Sequence, residues 1–78
     1  MLLSGDRRVI YGRAYRFLYV IRVSGPLVSP NLEKFRELER DGIVILTDAE
    51  PVIGESNRER RAVWVVEERF AEVSRMFR

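Results

Sequence analysis

Seventy-eight residues suffice for a single domain, residues 1–78, with only a small core: a monomer of this size buries about 60% of the surface its unfolded chain exposes. Thirteen arginines and one lysine stand against twelve acidic residues for a net charge of +2, and cysteine and histidine are absent. Those absences exclude disulfide staples, the commonest nucleophile–base pairs and the usual transition-metal ligands. Nothing in the residue set calls for a cofactor, a metal or an enzymatic centre.

From Arg7 to Val23 the chain is rich in Val, Ile, Tyr, Phe and Leu, interrupted by Arg. Tyr15, Phe17, Tyr19, Ile21 and Val23 alternate with Arg16, Leu18, Val20 and Arg22, which predicts a strand with one apolar face. Gly12 marks a bulge or a tight turn, dividing the stretch into Arg7–Tyr11 and Arg13–Val23. Ile10, Ala14, Phe17 and Ile21 also fall at helical spacing, so a helix over 7–23 is the competing reading.

Ser24-Gly25-Pro26 ends that element. Ser29-Pro30 then opens a helix: serine is a good N-cap, and proline suits the first helical position. Leu32, Phe35 and Leu38 form its apolar stripe, while Glu33 with Arg36 and Glu37 with Arg40 pair on the solvated side. Gly42 supplies the left-handed C-terminal cap. Ile43–Leu46 reads as a strand buried on both faces. Residues 48–60 form a loop, broken at Pro51 and turned at Gly54. Arg61–Val66 reads as a further strand and Glu67 onward as a final helix, with Phe70, Val73 and Phe77 facing inward. Trp64 is a core or interface anchor.

The apolar runs Phe17–Ile21 and Ala62–Val66 are far shorter than the roughly 20 residues that span a bilayer, so the expectation is a cytoplasmic protein without membrane contact. Many Arg and Glu with no Gln suit a thermophilic host, where ion-pair networks are favoured; a GC-rich genome enriches arginine in the same way.

Charge is segregated. Residues 1–28 carry five arginines against one aspartate, residues 29–50 three basic against six acidic groups, and residues 51–78 six against five. A basic first third is suited to DNA or RNA; it is equally suited to the acidic segment of its own or a partner chain. The small core and the lack of disulfides favour a homodimer or a partner protein.

The strongest binding candidate is the weave of Tyr11, Arg13, Tyr15, Arg16, Tyr19 and Arg22, because aromatics on a sheet stack on bases while arginines neutralise phosphates. Tyr11-Gly12-Arg13-Ala14-Tyr15 is similar to fragments of the aromatic strand of the RNA-recognition motif. A second candidate is the basic turn Asn57-Arg58-Glu59-Arg60-Arg61, whose Arg58, Arg60 and Arg61 can grip phosphate through forked hydrogen bonds. The other reading of both is structural: a central strand with solvated arginines, and a solvated loop.

Leu38–Val44, followed by a loop and Arg58–Val65, resembles the end of a recognition helix and the wing hairpin of winged-helix DNA-binding regulators. That resemblance implies DNA contacts at Lys34, Arg36 and Arg58–Arg61, and two further helices ahead of Ser29, which would require 7–23 to be helical. From the residues themselves, the expected fold is a small α+β two-layer sandwich in the order strand(s), helix, strand, strand, helix. Both helices would lie on one sheet face, with the other face solvated or at a dimer interface. The expected function is a non-enzymatic module contacting nucleic-acid backbone; the alternative is an assembly subunit with no nucleic-acid role.

Overall fold

In the computed structural model, which describes residues 5–49, 53–54 and 59–77, the first third of the chain pleats. Its aromatic and β-branched residues form β1 (Arg7–Ile10) and β2 (Arg13–Arg22), not helices. The two strands are joined by the two-residue turn Tyr11-Gly12, in which both φ angles are positive, as a tight type I′ hairpin turn requires. Then follow α1 (Leu32–Arg40), β3 (Val44–Asp48), β4 (Arg60–Val66), a 3₁₀ turn (Glu67–Arg69) and α2 (Phe70–Met76). The protein is thus α+β. Its four strands make one curled sheet in the order β1-β2-β4-β3, with every neighbouring pair antiparallel.

β4 lies between β2 and β3 and carries the core. Its alternate residues Val63 and Val65 join Ile21, Val44, Leu32 and Phe35 of α1, and Val73 of α2 in one cluster, which places both helices on one face. Ala62, Trp64 and Val66 point the other way and pack with Tyr15 and Phe17. That second face was expected to be solvated or to await a partner chain. It is instead packed within the chain: Phe17 meets Trp64 edge-on at 5.5 Å, and the Trp64 indole N–H donates to Thr47 Oγ1 at 3.0 Å. Two-sided burial explains why residues 62–66 are apolar without interruption.

The alternation along β2 does not mark a single face. Phe17 pairs with Trp64 but Tyr19 pairs with Val63, so β2 spends two residues where β4 spends one. This β-bulge at Leu18 reverses which side the odd-numbered residues occupy. Tyr15 and Phe17 therefore enter the second cluster, while Tyr19, Ile21 and Val23 turn toward the helices.

α1 starts two residues later than its capping residues suggested, with Asn31 at the N-cap. Ser29 accepts at its Oγ from the Asn31 N–H and at its carbonyl from the Leu32 N–H, so it closes the turn that feeds the helix rather than capping the helix itself. The C-terminus ends in a Schellman motif: Ile43 N–H donates to Leu38 O and Gly42 N–H to Glu39 O, with Gly42 at φ +76°. β3 begins one residue later than expected, runs to Asp48, and is an edge strand; Ile45 and Leu46 are half-buried. Glu39 Oε2 accepts from the Leu46 N–H at 3.2 Å, which satisfies an amide not donated to β4. Phe70, Val73 and Phe77 turn inward as their spacing predicts, and Phe77 stacks on Phe35 at 4.2 Å. No helix among the described residues is long and apolar enough to cross a membrane.

Candidate nucleic-acid interface

The arginines of the first two strands divide between the ends and the faces of the sheet. Arg7 and Arg8 lie on β1 and Arg13 opens β2 beside the hairpin turn. Arg8 pairs with Tyr15, so Arg8 and Arg13 are diagonal neighbours on the face away from the helices. Arg8 places its guanidinium carbon 5.0 Å from the Trp64 ring centre, and Arg13 places its own 5.9 Å from that of Tyr15. One N–H of Arg13 donates to Gly42 O at 3.2 Å.

Arg16 sits on the opposite, helix-bearing face. Its guanidinium carbon lies 4.3 Å from the Phe70 ring centre, and its Nε is 3.9 Å from Glu67 Oε2. That distance is a charge contact and too long for a hydrogen bond, so both atoms lack a hydrogen-bond partner. The other oxygen of Glu67 meets Arg7 Nη2 at 3.4 Å. One carboxylate thus serves two guanidiniums.

The far end of β2 holds the second group. Arg22 faces Arg60 directly across the β2–β4 ladder, a like-charge juxtaposition eased by Glu59, whose Oε2 is 3.9 Å from Arg22 Nη1. Arg61 reaches Asp48 Oδ1 at 3.3 Å and donates to the Arg60 carbonyl at 2.8 Å. Arg13 and Arg22 are the two ends of the ten-residue β2, about 30 Å of extended chain apart, so these arginines do not converge on one small ligand. Arg58 lies outside the described residues.

The tyrosines are less exposed than a stacking surface needs. Tyr15 is buried. Tyr19 is half-buried, packs edge-on against Phe35 at 5.7 Å, and its hydroxyl accepts from Asn31 Nδ2 at 2.9 Å. Tyr11 is the contrast: at the hairpin tip it is 94% exposed. Its dipeptide Tyr-Gly was the available signal, since glycine at the second place of a two-residue turn throws the first residue into solvent.

Of the described residues singled out by the winged-helix resemblance, Lys34 and Arg36 lie on α1 and Arg60 and Arg61 open β4. Lys34 and Arg36 are exposed on α1 among Glu33, Glu37 and Glu39, and Arg36 pairs with Glu33 at 3.7 Å. Among the described residues no cluster of three or more acidic groups is placed to hold a metal ion. The chain matches no protein-family model, no curated protein and no solved structure.

Proposed function

We propose that the chain is a nucleic-acid-binding module that grips the phosphate backbone through the β1–β2 hairpin, with Arg22, Arg60 and Arg61 as a second contact at the far end of β2. The observation that carries this reading is the exposure of Arg7, Arg8 and Arg13 around one hairpin. Residues 5–22 hold five arginines against Asp6, an excess of +4, and among the described residues Glu67 and Glu59 offset part of it. The contact with Gly42 does not exhaust Arg13, because a guanidinium has five N–H donors and Arg13 uses one in this bond. Its remaining donors suit the forked hydrogen bonds that phosphate oxygens accept.

Fluorescence polarisation with labelled DNA and RNA oligonucleotides tests the proposal. Three phosphate contacts predict an affinity that falls roughly 20- to 40-fold between about 50 mM and about 200 mM salt. Arg13→Ala reduces the slope of log affinity against log salt by about one. Absence of binding to both DNA and RNA at low salt refutes the reading.

A second reading, an assembly subunit, is supported by Val9, which is 74% exposed on β1, an edge strand of the sheet among the described residues. Light scattering separates the two. A salt-sensitive oligomer without nucleic-acid affinity favours the subunit; a monomer that binds oligonucleotides favours the binding module.

A further inference from the structure

The hairpin tip carries a residue that its turn does not call for. Type I′ hairpin turns require positive φ at both central residues, which Asn-Gly supplies at low cost. Here a bulky aromatic takes the first place: Tyr11 has φ +52° and Gly12 φ +79°. Left-handed backbone is unfavourable for such a side chain, and the ring recovers little in packing, being 94% exposed with no hydrogen bond or ring contact to the described residues. A strained, exposed aromatic is the kind of outlier that marks a functional position.

The other aromatics of this hairpin are committed to the interior. Tyr15 is buried, Phe17 lies against Trp64, and Tyr19 is held by Asn31 and Phe35. Tyr11 alone among them presents its ring to solvent. The space beside it is open: a side-chain carbon built on Gly12 would meet no atom within 4 Å. Arg13 follows two residues later, and Arg7 and Arg8 lie on the adjoining strand.

We infer that Tyr11 is a stacking platform for an unpaired base, so that the ligand of the basic hairpin is single-stranded nucleic acid rather than duplex. The inference rests on the backbone-binding reading above. In a duplex the π-faces of the bases are occupied by their neighbours, and an aromatic at a loop tip finds only sugar and phosphate. In a single strand each base offers a free face, and stacking combines with arginine contacts to the backbone. DNA and RNA share this chemistry, so both belong in the test.

The full chain is titrated with labelled oligo-dT, oligo-U and a duplex of equal length. Both single strands bind more tightly than the duplex. Tyr11→Asn keeps the turn geometry but removes the ring and weakens single-strand binding about tenfold, while Tyr11→Phe stays within about twofold of the parent. Loss of stacking leaves the salt slope of Tyr11→Asn unchanged, whereas Arg13→Ala lowers it by about one. A melting temperature for Tyr11→Asn at or above that of the parent establishes that the fold is intact. Parent-like single-strand binding by Tyr11→Asn, or a preference of the parent for duplex, overturns the stacking inference and leaves the backbone reading standing. A parent chain that binds no nucleic acid overturns both, and self-association that disappears in Tyr11→Asn would then assign the tip to a protein contact.

Discussion

Replacing Tyr11 by asparagine should make the protein more stable, although it deletes an aromatic side chain. Left-handed backbone costs an ordinary L-residue about 1–2 kcal/mol, and asparagine less, because its short polar side chain hydrogen-bonds locally. The compensating loss is small, since the 94% exposed ring buries almost no area. The balance is a gain of about 0.5–1 kcal/mol. For a domain of this size that raises the melting temperature by roughly 3–6 °C. Urea unfolding followed by the fluorescence of Trp64, the single and fully buried tryptophan, measures the change, and a circular dichroism melt provides a second probe. A Tyr11→Asn protein less stable than its parent would show that the ring carries packing energy and that the turn holds no strain. A gain in stability joined to a loss of oligonucleotide affinity is the signature of a position kept for binding.

Thr47→Val removes the acceptor of the Trp64 indole N–H and leaves a buried donor unsatisfied, so urea unfolding should show a loss of about 1–3 kcal/mol, which Thr47→Ser largely avoids. Glu67→Gln releases Arg7 and Arg16 from their shared carboxylate. Because these pairs are partly exposed, the stability loss should stay below about 1 kcal/mol while oligonucleotide affinity at low salt rises; unchanged affinity would exclude both arginines from the binding surface. Glu72 is held below the ordinary carboxylate range by its hydrogen bonds from Arg69, with the charge of Arg69 adding to the effect. A depressed carboxylate contributes stability above its unfolded value and loses it as pH falls through the folded one. Wild-type and Glu72→Gln urea midpoints should therefore converge on acidification; curves that remain parallel count against the pair.

Much of the fold was readable because local signals agreed with one another. The Leu32, Phe35 and Leu38 stripe with Gly42 behind it marked α1, and its error of two residues at Ser29 arose because serine caps a turn as readily as a helix. The unbroken apolar run 62–66 marked a buried strand, and the structure adds that β4 lies inside the sheet with a cluster on each face. The candidate site was less readable. Alternation put Tyr15 and Tyr19 on one face of a single strand, and the bulge at Leu18 sends one to each cluster. Tyr11, the member of the weave that falls in the turn, holds the exposure they lack.

The order of elements, the α+β class and the concentration of positive charge in the first third follow from the sequence, because periodicity, capping residues and residue types act within a few positions of one another. Which arginines meet a carboxylate, which aromatic reaches solvent and where β2 changes faces were decided by tertiary structure. Glu67 lies 51 residues beyond Arg16 and comes near it only because β4 pairs with β2. An ion pair or a bulge depends on register between distant segments, and register is set by packing of the whole sheet rather than by the residues on either side.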